Sequence, residues 1–250
     1  MRRYLIVFFS FALLIFGCSK DDRNNTGSNN SGNTNTGGNQ HQEEFVFSVG
    51  TGKRVKFAPG NLAKDGRSFV SNQYDLGGYF AWGTGNHPES SSTDWRTYST
   101  FYDWGDYLEG NWRTLTGDEW QHLLLQRQNA TYKRGRSVIG GIKGLIILPD
   151  NWKQPSGVEF EPTLERVSQN EYSINEWNIL RNSGAIFLPC TIIGRSGHYD
   201  CGFYWSSSPY DERMALHLQI EFEGNDAGEV YVTKSRRYYQ ESVRLVQDVK

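Results

Sequence analysis

The residues of this chain suited to chemistry are few and scattered. Cys190 and Cys201 flank Thr191 to Asp200, a turn-like stretch that contains Gly194 and Gly197. Facing positions on a hairpin would let the two form a disulfide, worth on the order of 3 kcal/mol where the geometry permits. His198 beside Cys201 falls short of a zinc ligand set, and His41, His87 and His122 show no ligand spacing. His217 alternates with apolar neighbours and reads as a solvated residue on the polar side of a strand. Asp94, Asp103 and Asp106, close to several tryptophans, are the carboxylates that a glycosidase pair would need. There is no Gly-x-Ser-x-Gly elbow, P-loop or His-Glu-x-x-His. Trp82, Trp95, Trp104 and Trp205 are the candidate sugar platforms, because an exposed indole stacks on a pyranose ring while Asn and Asp bond its hydroxyls. Burial in a core is the competing fate of such side chains. The balance points to a binding module rather than an enzyme, with no cofactor or metal called for.

The N-terminus is read as an address. Arg2 and Arg3 precede the apolar run Leu5 to Phe16, which is too short for a membrane span of about 20 residues and suits a signal peptide. The run closes on Leu14-Ile15-Phe16-Gly17-Cys18, which resembles a bacterial lipobox. That resemblance implies cleavage after residue 17, lipidation of Cys18 and stable anchoring by two or more acyl chains. Ser19-Lys20-Asp21-Asp22 is similar to the acidic signal that takes lipoproteins of Bacteroidetes-type bacteria to the outer face of the outer membrane. Residues 18–43 are dominated by Asn, Gly, Ser and Thr, too polar to offset chain entropy, and are expected to form a disordered tether. Twenty such residues reach roughly 25 Å on average. With 26 basic and 28 acidic residues the net charge is −2, which excludes a field able to hold a nucleic acid.

The elements that must position these residues lie in one domain over 44–250. Phe45 to Val49 and Arg54 to Phe57 predict two short strands. Tyr74 to Trp112 has no helical period and predicts a long Gly/Trp-rich loop region. Thr116-Gly117-Asp118-Glu119 and Ser173-Ile174-Asn175-Glu176 are capping boxes that open two helices, the second ending at Gly184. The runs Leu145 to Pro149 and Ala185 to Pro189 follow the helices as apolar strands. Leu216 to Phe222 alternates as a half-buried strand, Val230 and Val232 begin its return, and Ser242 to Val246 closes the fold. Lys133-Arg134-Gly135-Arg136 and Lys234-Ser235-Arg236-Arg237 read as solvated basic turns. Helices segregated from antiparallel sheets define an α+β fold.

Several phrases, in order, carry a family resemblance: Val55-Lys56-Phe57-Ala58-Pro59-Gly60-Asn61-Leu62, Phe80-Ala81-Trp82-Gly83-Thr84-Gly85-Asn86, Asp103-Trp104-Gly105, Trp112-Arg113-Thr114-Leu115-Thr116, Ile147-Leu148-Pro149-Asp150-Asn151-Trp152, Tyr204-Trp205-Ser206-Ser207-Ser208 and Ser242-Val243-Arg244-Leu245-Val246. From about residue 45 to 247 the chain resembles the Fibrobacter succinogenes major paralogous domain. The resemblance implies a C-type lectin-like fold: twisted antiparallel sheets, two flanking helices, paired terminal strands and long loops that carry binding. It also implies a surface lipoprotein that recognises an extracellular glycan or protein, or serves as a structural subunit of a surface appendage. Calcium-binding lectins of that fold use Glu-Pro-Asn or Gln-Pro-Asp. Glu161-Pro162-Thr163, Gln154-Pro155-Ser156 and Leu148-Pro149-Asp150 each lack a required oxygen donor. Formylglycine-generating enzymes, of related fold, bind copper with a thiol pair spaced more closely than Cys190 and Cys201.

Overall fold

Alternation and capping account for most elements of the computed structural model, which describes residues 45–162, 170–190, 201–222 and 228–250. The chain divides into two units, Met1–Gln42 and Glu43–Lys250. The lipidation site at Cys18, the whole tether over 18–43 and the segment 191–200 between the two cysteines lie outside the described residues. Eleven strands are described: β1 (Phe47–Gly50), β2 (Lys53–Phe57), β3 (Arg113–Thr114), β4 (Arg134–Ile139), β5 (Ile142–Ile147), β6 (Asn170–Tyr172), β7 (Ile186–Pro189), β8 (Cys201–Pro209), β9 (Met214–Glu221), β10 (Val230–Arg236) and β11 (Leu245–Val249). The described α-helices are α1 (Gly117–Gln121), continued by a π-turn to Gln126, and α2 (Ile174–Asn182), with short 3-10 turns at Trp95–Tyr98, Trp104–Tyr107 and Ala130–Lys133. Few helices and several antiparallel pairings make this an α+β fold.

Three sheets organise the unit, in the orders β1-β2-β11-β3, β10-β9-β8 and β6-β4-β5-β7. In the first sheet the opening strands meet the last, with Phe57 opposite Val246 and Val55 opposite Asp248. The two Leu-Pro runs pair with each other, Leu145 opposite Leu188 and Ile147 opposite Ile186. β4 and β6 run parallel, the exception to the antiparallel pattern. Both capping boxes form as read. Thr116 Oγ1 accepts from Glu119 N at 3.1 Å while Thr116 N donates to Glu119 Oε2 at 2.8 Å. Ser173 and Glu176 repeat the exchange at 3.3 and 2.8 Å. Gly184 follows α2 at φ +95°, the left-handed conformation that stops a helix.

Packing settles several residues differently from their local reading. Arg134 and Arg136 are buried in β4, not solvated, because their guanidinium groups donate to carbonyl oxygens of Gly228 and Phe222 at 3.0 and 2.9 Å. Arg237 and Ser235 are buried as well, whereas Lys234 and Arg236 face solvent. His217 is 2% exposed, not solvated, since its ring stacks on Phe203 at 5.6 Å and its Nδ1 lies 2.8 Å from the buried Glu241 carboxylate. The closing strand starts at Leu245, and Ser242 instead forms a parallel bridge with Tyr204.

Candidate functional site

The loop region between β2 and β3 is held rigid from beneath by aromatic side chains. Trp82 Nε1 donates to Ser206 O at 2.9 Å, and Trp205 Nε1 to Phe80 O at 2.7 Å. Phe101 bridges Trp82 and Trp104 at ring separations of 4.9 and 5.8 Å. Glycines allow the backbones to close on one another. A Cβ on Gly85 would lie 2.4 Å from Asp103 O, and one on Gly105 only 1.9 Å from Trp112 O. That is the physical content of the Gly-Thr-Gly and Asp-Trp-Gly phrases.

Three of the four tryptophan platforms are therefore corrected: Trp82, Trp104 and Trp205 are at most 2% exposed and belong to the core. Trp95 is half-buried, with the Arg96 and Arg213 guanidinium carbons 5.0 and 5.5 Å from its ring. The four do not share a groove. Two of the three carboxylate candidates, Asp94 and Asp103, serve as turn caps. Asp103 accepts from Gly105 N (3.0 Å), Thr114 Oγ1 (2.8 Å) and Thr114 N (2.9 Å). Asp94 accepts from Arg96 N and Nη1 at 3.0 and 3.3 Å, and Asp106 is exposed. Asp150 accepts from Ser48 Oγ and Arg127 Nη1, at 2.6 and 3.0 Å.

Within the same loop region lies a depression of about 270 Å³, whose wall includes Thr84, Asn86, His87, Glu89, Ser90 and Tyr102. Tyr102 is 44% exposed, a ring face set among amide, hydroxyl, imidazole and carboxylate groups. The walls are tied together: Gly85 N donates to Tyr102 O and Tyr102 N to Gly83 O, at 3.0 and 3.1 Å. The buried Tyr98 hydroxyl donates to Ser92 O at 2.9 Å and meets Ser90 Oγ at 3.2 Å. Such a mixture suits a polyhydroxylated ligand or a polar peptide. Sequence reading passed over Tyr102, Asn86 and His87 because no spacing links them; the Gly83-Thr84-Gly85-Asn86 turn was the available signal. A second concavity, of about 430 Å³, borders Arg113, but that guanidinium is engaged with Glu119 at 2.8 Å and Asp248 at 2.7 Å.

Two buried polar clusters sit deeper. Glu241, wholly buried, accepts from Ser235 Oγ at 2.7 Å and lies 2.8 Å from His217 Nδ1. The serine bonds the carboxylate and not the imidazole, so this is no Ser-His-acid triad. Arg244, also wholly buried, donates to Asn61 Oδ1 (3.2 Å) and Gln73 Oε1 (2.8 Å), and burial lowers its pKa to about 10. Both clusters bind strands to loops.

Cys190 and Cys201 are buried thiols in this structure. Cys201 Sγ lies 2.9 Å from Glu221 Oε2, whereas Cys190 Sγ packs toward the Gly202 side of β8, 3.4 Å from where a Gly202 Cβ would stand. Consecutive strand residues face opposite ways, so the two sulfurs lie on opposite faces of β8. Among the described residues no group of three or more His, Cys, Asp or Glu is placed to hold a metal, and no helix is long and apolar enough to cross a membrane. No protein-family model, curated protein or solved structure matches the chain.

Proposed function

We propose that this chain is a lipid-anchored module displayed on the outer surface of the outer membrane, of C-type lectin-like build, that binds an extracellular glycan or protein without catalysing a reaction. The lipobox at Cys18 and the polar tether support the location. Pairing of the second strand, β2, with the last, β11, and the long loops between β2 and β3 support the fold. The observation that carries the reading is the depression beside Tyr102: irregular backbone held in place by a buried aromatic layer, with polar groups and one exposed ring turned outward. No cofactor is invoked.

Glycan arrays and pull-downs with the chain lacking residues 1–17 test this. A ligand retained by the wild type and lost at least tenfold in Tyr102→Ala and Asn86→Ala is the expected result. Retention unchanged in both variants would move the site elsewhere, and turnover of a bound glycan would overturn the non-enzymatic reading. A second reading, a structural subunit of a surface assembly, is favoured by the burial of Trp82, Trp104 and Trp205, which removes the indole platforms a sugar groove would use. Stoichiometric co-purification with other surface proteins distinguishes it.

A further inference from the structure

Hydrogen bonding fixes what the wall of the loop depression has left for a ligand. The Thr84 hydroxyl donates to Ala81 O at 2.8 Å. The Tyr98 hydroxyl gives its one hydrogen to Ser92 O, so in the 3.2 Å contact between Ser90 Oγ and Tyr98 Oη the serine is the donor. Both wall hydroxyls therefore have their hydrogens committed within the protein and keep only lone pairs for a ligand. Among the described residues the Asn86 carboxamide and the Tyr102 hydroxyl bond no other group of the chain, so each keeps a donor as well as an acceptor.

Charge narrows the choice further. Among the described residues nine line the depression, and none of them is lysine or arginine. Arg67 and Arg237, which reach this loop from outside, donate to Gly85 O and to Tyr98 O and Ser99 O and do not line it. The one lining carboxylate, Glu89, is 77% exposed and lies 3.5 Å from His87 Nδ1. A ligand carboxylate, sulfate or phosphate brings acceptors alone to a wall already rich in acceptors, with no cation to pair it. An ammonium or guanidinium brings donors alone and leaves the Asn86 and Tyr102 donors unmatched. A neutral hydroxyl both donates and accepts.

We propose that the depression receives one uncharged sugar ring of an extracellular glycan and discriminates against acidic sugars. The apolar face of the sugar lies on the Tyr102 ring, and its hydroxyls donate to Thr84, Ser90 and Asn86. The volume, about 270 Å³, is below the roughly 300–1,000 Å³ of sites for drug-sized ligands, and it suits a single ring rather than a run of chain. Tyr102, 44% exposed, is the lining phenol open to stacking, since Tyr98 is 2% exposed. One exposed ring falls short of the clustered aromatic anchors on which protein interfaces depend, which favours a glycan over a protein surface. This assignment rests on the depression being the binding site of the module proposed above, and adds the class of its ligand.

Matched neutral and acidic sugars test it. The full chain in detergent is titrated calorimetrically with tetrasaccharides of glucose, galactose and mannose, and with the corresponding uronic acids. The titrations are run at pH 8, where imidazole groups are neutral, and at low salt, where exposed charges act furthest. At least one neutral series is expected to bind, and its uronic acid at least fivefold more weakly. Tyr102→Ala should lower the neutral affinity at least tenfold, and Tyr102→Phe, which keeps the ring, should lose less. Glu89 is largely exposed, so Glu89→Lys should keep the thermal unfolding transition while reversing the preference for the neutral sugar. Failure of all three neutral series to bind, or a preference unchanged in Glu89→Lys, would overturn the proposal. A uronic acid bound as tightly through Tyr102, or a lysine-rich peptide captured there in place of every sugar, would overturn the ligand class and leave the binding-module reading standing. Absence of any ligand that depends on Tyr102 would overturn both.

Discussion

Arg237 offers the sharpest test of how the loop region is held. Its Nη1 donates to Tyr98 O and Ser99 O at 3.0 and 3.2 Å, its Nη2 to Asp211 O at 2.5 Å, and its Nε to Met214 O at 3.3 Å. The guanidinium also lies 4.3 Å from the centre of the Trp82 ring. One side chain thus fastens the segment that walls the depression to the β8–β9 hairpin. Replacing it by methionine keeps an apolar stem over Trp82 and deletes every donor. A hydrogen bond from a charged group contributes about 1.5–3 kcal/mol, so the two shorter bonds set a gross loss of about 3–6 kcal/mol. Part is returned because the guanidinium no longer has to be desolvated, the burial that also lowers its pKa. A net destabilisation of about 3 kcal/mol is expected, which for a unit of this size lowers Tm by roughly 6–12 °C. Calorimetry measures the shift, and hydrogen exchange locates it: amides of 95–102 should lose protection before those of β4 and β5. A Tm within about 2 °C of wild type, with unaltered exchange in 95–102, would refute the claim that this guanidinium organises the loops.

Glu241→Ala should cost about 3–5 kcal/mol in chemical denaturation, because it leaves His217 and the Ser235 hydroxyl buried without their acceptor. Glu241→Gln, which can still accept from one of them, should cost less; equal losses would contradict this. Acid should destabilise the fold through turn carboxylates: backbone and side-chain donors hold Asp65, Glu176 and Asp211 below their ordinary values of 3.8, 4.5 and 3.8. The unfolded chain then takes up protons first, so their contribution is present above about pH 4.5 and is lost as pH falls through the folded values. The triple change to Asn, Gln and Asn should flatten the fall in Tm between pH 5 and 3, and an unaltered slope would refute the assignment. Cys190 and Cys201 should each react with a thiol reagent after unfolding in the absence of reductant; recovery of no titratable thiol would mean that a bridge forms and β8 must rearrange to allow it.

How much of this was legible in the chain depends on the range over which each feature is decided. The capping boxes at Thr116 and Ser173, the left-handed stop at Gly184, and the alternation through Leu216 to Phe222 are set by neighbours within four residues, and all stand as read. The pairing of Leu145 with Leu188 was half visible, since both runs are apolar but nothing local says that they meet. His217 shows the limit most plainly. Alternation placed it on the face opposite Leu216 and Leu218, as found, but whether that face meets water is decided by Phe203 and Glu241, the latter 24 residues away. Arg134 and Arg136 fail for the same reason, their partners Gly228 and Phe222 lying 94 and 86 residues on.

Local sequence by itself set the two capping boxes, the stop at Gly184 and the alternation of Leu216 to Phe222, because backbone hydrogen bonding and side-chain alternation act over a few residues. Arg134 to Arg136 and Lys234 to Arg236, which read as turns, are drawn into β4 and β10 by distant pairing partners. Which of those faces is covered belongs to the tertiary structure alone. Burial of Trp82, Trp104 and Trp205 and exposure of Tyr102 depend on layers contributed from distant parts of the chain. An indole carries the same chemistry in a core as on a surface, and only the packing around it distinguishes the two.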